Sequence, residues 1–265
     1  MAERKIKLRH VSGKPVEGNL HGRQLVFTHI HKAAGTTLDW IMAGVAGRRS
    51  EKIFRVAGTI YGQHLEGYVD SIASLHAAKP ETLAAARFLV GHLPTTAWDE
   101  IRLDKKAAFL TILRDPVERM ISHFRFGISR GGWQADTSIP EIIKAGLLVD
   151  NLQVRQISGC RDASEPCTEV MLEEALKTLS ERYALIGMAE DFDAILSTLI
   201  KLCGWPDIIY SKYQVGDVIL DDERMSALRE ECRRFNQFDQ MLVNAVKTHG
   251  PVQVNLVERE PPPPA

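Results

Sequence analysis

The residues best suited to chemistry lie in one run, LVFTHIHKAAGTTLDW, at positions 25–40. Lys32, Ala33, Ala34, Gly35, Thr36 and Thr37 fall between an apolar stretch ending near Ile30 and an apolar helical face at Leu38, Ile41 and Met42. Small residues let a ligand approach the backbone, Gly35 tolerates positive φ, and the first N–H groups of a helix form an anion site. Thr36 and Thr37 add hydroxyl donors and Lys32 adds a mobile positive charge, a set suited to a phosphate or a sulfate. The same residues also suit an ordinary strand-to-helix turn with Thr36 as the N-cap and Lys32 in solvent. Lys32 precedes Gly35 by three positions instead of following a glycine. The lysine and magnesium geometry of a Gly-x-x-x-x-Gly-Lys-Thr loop is therefore absent.

A second candidate grip is LRDPVERMISHFRF, positions 113–126. Pro116 suits the first helical position with Asp115 as cap, which places Arg114 where a strand end meets a helix start. Ser122 lies about two turns along that helix, and one Arg fork plus one hydroxyl can hold a single phosphate. Arg-Asp-Pro is equally a good structural cap. Two such grips in one sheet suit a ligand with two separated anionic groups, such as a nucleotide bisphosphate.

A transfer to a hydroxyl also needs a proton acceptor. His92, in RFLVGHLPTTAW, follows directly from an apolar segment, with Gly91 and Pro94 marking the exit into a loop. His64 and Glu66, in YGQHLEGY, are the competing bases, and His92 could instead cap the strand on a backbone carbonyl. His29 reads as structural and His123 as packing or surface. Arg155 reads as either a ligand contact or a helix-surface salt bridge, and Lys212 with Tyr213 as a closing loop.

The elements that must position these residues are short apolar runs alternating with helical patterns. Strands are predicted at 25–30, 87–91, 107–113 and 183–188. Helices are predicted at 37–47, 68–78, 116–127, 150–158, 168–180, 191–203 and 221–248. That alternation implies crossover units and a mostly parallel sheet covered on both faces, an α/β three-layer sandwich. In such sheets ligands bind outside the carboxyl ends of the strands.

The chain of 265 residues carries 33 basic and 34 acidic groups, a net charge of -1, which argues against a nucleic-acid binder dominated by phosphate contacts. Residues 1–22 are expected to form an N-terminal arm, 23–250 a single domain and 251–265 a proline-rich tail. No apolar run reaches the roughly 18 residues of a membrane span, and the charged start MAERKIKLRHVSGKP has no apolar signal core, so a cytoplasmic location is expected. Cys160, Cys167, Cys203 and Cys232 are too few and too irregular for a disulfide framework or a zinc site; the first two could pair if oxidised.

FTHIHKAAGTTL resembles the 5′-phosphosulfate-binding loop of the sulfotransferases that use 3′-phosphoadenosine-5′-phosphosulfate (PAPS), commonly written His-Ile-Pro-Lys-Thr-Gly-Gly-Thr-Ser-Leu. ILRDPVERMISHF resembles their 3′-phosphate motif. DNLQVRQISG (150–159) and LIGMAEDFDAIL (185–196) resemble segments of the branch containing the heparan sulfate 2-O- and 6-O-sulfotransferases and their soluble bacterial relatives. The resemblance covers roughly residues 25–200 in order. It implies a P-loop-like α/β fold and sulfuryl transfer from PAPS to an acceptor hydroxyl, with a carbohydrate as the expected acceptor and adenosine 3′,5′-bisphosphate as product, without a metal. Lys32, Ala33, Ala34, Gly35, Thr36 and Thr37 would then surround the 5′-phosphosulfate, Arg114 and Ser122 would bind the 3′-phosphate, and His92 would be the base. Lys32 would stabilise charge on the bridging oxygen of the departing nucleotide. His31 departs from the pattern where the family has proline, and Ala33-Ala34 replace Thr-Gly. A P-loop nucleotide kinase or NTPase, or a nucleotide-binding module without catalysis, are the alternatives.

Overall fold

Strand β2 (Leu25–Thr28) is buried along its whole length, as a strand covered on both faces must be. It pairs in parallel with β4 (Ala86–His92) on one side and β5 (Ala108–Leu113) on the other. The registers align Thr28 with Gly91 and with Thr111, so the three strands reach the same edge together. The computed structural model describes residues 8–59, 71–211 and 218–256. His64, Glu66, Lys212 and Tyr213 lie outside them.

Among the described residues the main sheet has six strands in the order β3 (Lys52–Thr59), β4, β2, β5, β6 (Tyr183–Met188), β8 (Val252–Val254). All neighbours are parallel except β8, which runs antiparallel to β6. Residues 252–254, expected in the tail, therefore complete the sheet. Strands β1 (Arg9–Val11) and β7 (Ile208–Tyr210) form a separate antiparallel pair. Four of these strands, β1, β3, β7 and β8, are too short or too polar to be legible as buried runs.

The two faces of the sheet carry separate cores. One packs β2 residues Leu25 and Phe27 against α1 (Gly35–Arg48) and α8 (Phe192–Cys203), including Leu38, Met42, Ile195 and Leu199. The other packs Val26 and Ile30 with residues of the short helices α2 (Ser71–His76) and α3 (Pro80–Ala85), and of α6 (Leu152–Ser158), α7 (Glu169–Arg182) and α10 (Gln237–Lys247). This is the three-layer α/β sandwich with a mostly parallel sheet that the alternating pattern predicts. A third cluster joins α4 (Pro116–Ser129), α5 (Ile139–Lys144) and α9 (Asp222–Arg234) around Phe124 and Trp133.

The helical segment at 221–248, which reads as a helix pair, is the two helices α9 and α10. Its inward residues Leu228, Leu242 and Val246 are buried as the pattern demands. Asp239 is buried with them, although it is a carboxylate. It accepts the N–H groups of Val154 at 2.8 Å and Gln153 at 3.2 Å, and so caps α6. Asn151 returns the exchange, its Oδ1 accepting from Phe238 N at 2.9 Å and Asp239 N at 3.1 Å. Each helix start thus supplies the acceptor that the orphan donors of the other require.

Candidate active site

Three adjacent parallel strands deliver the candidate residues to one edge. The loop 29–34 leaves β2, His92 is the last residue of β4, and Arg114 is the first residue beyond β5. The β4 strand runs through Gly91 and His92 instead of breaking there, and His29 N extends the ladder by donating to Gly91 O at 2.9 Å.

The loop is wound differently from the sequence expectation. Positive φ falls on Lys32 (65°) and Ala34 (61°), while Gly35 is not among the residues of positive φ. Left-handed residues on either side of another residue are a backbone pattern that can cradle anions, though Ala33 N itself donates to Ile30 O at 3.3 Å. Ala34 is the N-cap of α1, displacing Thr36 from that place, and an alanine has no side chain to satisfy the helix start. Thr37 N donates back to Ala34 O at 3.1 Å, which leaves the N–H groups of Gly35 and Thr36 for a ligand or solvent. Gly35 is required for a different reason. A Cβ there would stand 2.0 Å from His29 Cδ2, so the imidazole occupies the space a side chain would need. Thr36 is half-buried and Thr37 buried at the start of α1.

Arg114 joins the two grips. Its Nη1 donates to the Lys32 carbonyl at 2.9 Å, which ties the end of β5 to the loop after β2. As predicted, Asp115 caps α4, accepting from Glu118 N at 3.0 Å, with Pro116 at the first helical position. Ser122 is half-buried on α4. Its helix face also carries Phe126, whose ring centroid lies 4.2 Å beneath Lys32 Nζ and 5.3 Å from Arg130 Cζ. Burial, then the charges of Arg114 and Arg130, lower the Lys32 pKa to about 8.

The histidines form a column. His92 donates or accepts at Nδ1 with the His29 carbonyl, 2.6 Å away; a carbonyl only accepts, so Nδ1 carries the proton and Nε2 the lone pair. The His31 ring lies flat on His92, centroids 3.6 Å apart and 8° from parallel. His29 is 4.1 Å from His92 on centroids, and His123 is 5.8 Å from His31. Burial lowers the pKa of His92 to about 4 and of His123 to about 3, and holds those of His29 and His31 well below 6.5. The neighbouring rings reinforce this for His29, His31 and His123, since a second imidazolium in the stack would face the first. The column is therefore neutral at pH 7. His31 packs the face of the candidate base.

Several residues of this region carry no obvious signal in the sequence. Gln156, on α6, donates from Nε2 to His29 O at 3.2 Å and to Leu93 O at 3.1 Å. One helical turn earlier Gln153 pairs with the Arg114 backbone through both ends of its amide. Both side chains are buried, at 1% and 0% exposure. Two glutamines three apart within an apolar helical face were the available clue. Arg119 on α4 is also fully buried, with no hydrogen-bond partner for its guanidinium among the described residues; burial lowers its pKa and the Asp239 charge opposes this. Arg155 turns to the start of its own helix, where its Nε donates to Asp150 O at 2.9 Å. It makes a salt bridge to Asp150 at 2.8 Å, as one of its two readings held, but buried beneath α6 instead of on the surface.

Among the described residues no disulfide forms, no group of three or more His, Cys, Asp or Glu side chains is arranged to hold a metal ion, and no helix is long and apolar enough to cross a membrane. No family model matches the chain, and no curated protein matches it. The fold is similar to a solved structure described as the crystal structure of a sulfotransferase from Alicyclobacillus acidocaldarius, with 13% sequence identity, a TM-score of 0.44, and coverage of 86% of this chain and 96% of that chain.

Proposed function

We propose that the protein is a PAPS-dependent O-sulfotransferase acting on a hydroxyl of a carbohydrate. The observation that carries this reading is the 2.9 Å bond from Arg114 Nη1 to the Lys32 carbonyl, which sets two anion grips side by side at the carboxyl edge of one sheet. Two grips suit a nucleotide bearing separated 5′ and 3′ anionic groups. The left-handed conformations of Lys32 and Ala34 and the start of α1, which lacks a side-chain cap, support this reading.

When bound, PAPS supplies the sulfuryl group. Lys32, the N–H groups from Ala34 to Thr36 and the threonine hydroxyls would hold its 5′-phosphosulfate, with Ala33 and Ala34 keeping the turn small. Arg114 and Ser122 would hold its 3′-phosphate. Lys32 is charged below pH 8 and opposes the negative charge that grows on the leaving group. Fixed donors in an enclosed site stabilise such charge without reorganising. His92 receives the proton of the acceptor hydroxyl at Nε2, the nitrogen left available by the Nδ1–His29 bond. A ring that is neutral before reaction is ready to take that proton, and its low pKa makes it release the proton readily afterwards.

The test is the thermal shift of the full chain. Adenosine 3′,5′-bisphosphate raises the melting temperature more than AMP or ATP does. Equal shifts for all three contradict the two-grip reading. A screen of radiolabelled sulfate transfer across glycans, phenols and lipids then assigns the acceptor, and transfer that persists in chelator distinguishes this chemistry from a magnesium-dependent kinase.

A further inference from the structure

We propose that Gln153 is a positioning residue for the nucleotide grip: its side-chain amide fixes the backbone of Arg114 and so aims the guanidinium. This rests on the reading of Arg114 as a 3′-phosphate ligand.

Gln153 Oε1 accepts Arg114 N–H at 2.9 Å, and Gln153 Nε2 donates to Arg114 O at 2.9 Å. That reciprocal pair imitates the two-bond exchange between opposed residues of antiparallel strands. It falls on the first residue beyond β5, after the ladder ends at Leu113 and before Asp115 caps α4. Arg114 would otherwise be a hinge between a strand and a helix, and its side chain must reach the Lys32 carbonyl at a defined length. The amide itself comes from a fixed backbone, since Asp239 holds Gln153 N at 3.2 Å and Val154 N at 2.8 Å. A buried amide satisfied at both ends by one residue's backbone specifies that residue's conformation, because rotating Arg114 would strand two buried polar groups.

Two substitutions separate positioning from bulk. Gln153→Met keeps length and loses both bonds. Gln153→Glu keeps the acceptor but sets a second oxygen against Arg114 O. Ser197→Ala is the stability control, because Ser197 on α8 accepts from Lys14 N at 3.0 Å and donates to Ser12 O at 2.7 Å, outside the site. Dissociation constants for adenosine 3′,5′-bisphosphate and for AMP are measured by calorimetry on the full chain, with melting temperatures alongside. The wild type prefers the bisphosphate, and in both Gln153 variants the preference shrinks by roughly tenfold while AMP affinity changes little, the loss expected when a charge-assisted contact is misaimed. Ser197→Ala keeps the wild-type preference whatever its melting temperature. A preference retained in a folded Gln153 variant overturns the inference and leaves the role of Arg114 intact. A wild type without preference overturns both, and failure of both Gln153 variants to fold overturns the inference by making Gln153 a structural residue.

Discussion

His92 Nδ1 rests 2.6 Å from the His29 carbonyl, which fixes the tautomer and leaves Nε2 facing away from that anchor. His92→Ala is therefore expected to lower transfer by about 10²–10⁴-fold, the usual range for a general base, while nucleotide affinity stays within about threefold of wild type. Radiolabelled transfer and calorimetry read the two quantities separately. Full activity in this variant would move the base elsewhere, to His64 or Glu66.

On the proposed chemistry Lys32 sets the upper pH limit. It is charged below about 8 and neutral above, so kcat/KM for the free enzyme falls as pH rises through about 8. Lys32→Arg, which stays protonated, should remove that limb even if its absolute rate is lower. A limb unchanged in Lys32→Arg would assign it to another group.

The histidine column sets the response to acid. A histidine in the unfolded chain titrates near 6.5, whereas His92 titrates at about 4 and His123 at about 3. Between those values the unfolded chain binds more protons, so stability is full above 6.5 and is lost as pH falls toward 4. Urea midpoints should decline across that window, and His123→Phe should make the decline shallower. A midpoint independent of pH from 6.5 to 4.5 would contradict a neutral buried column.

Gly35→Ala tests the close approach at the start of α1. The new Cβ meets His29 at 2.0 Å, and overpacking of this kind costs about 1–3 kcal/mol. Thermal unfolding should show the loss, and the displaced His29 should weaken transfer through its carbonyl contact with His92. A neutral Gly35→Ala would mean that His29 can swing away freely.

Asp239→Ala removes the acceptor for two helix-start donors and the counter-charge of the fully buried Arg119. Leaving a buried charge uncompensated costs about 3–5 kcal/mol, so urea unfolding should register a loss of that size. Asp239→Asn, which keeps one acceptor, should be milder.

The sheet and the location of the site were legible because buried parallel strands leave continuous apolar runs, as at Leu25–Thr28 and Ala108–Leu113. The winding of the loop was not, since an alanine at position 34 gives no sign of positive φ and Gly35 invites the wrong reason for its presence. The column was hidden because its members, His29, His31, His92 and His123, are spread over more than ninety positions and meet only when β4 lies beside β2 and α4 folds across the edge. The burial of Asp239 was not legible either, because helical periodicity reports which face is inward, not which carboxylate has a helix start to bind there.

The exchange of caps between Asn151 and Asp239 has a consequence in time. The turn at 29–37 leaves the ribosome early, but the helix that braces Arg114 acquires its own cap only when residue 239 has emerged, roughly 10–40 s later at ordinary synthesis rates. A nascent chain can thus assemble most of the sheet around that turn while the candidate site is still loose. Completion of the candidate site arrives close to the end of translation.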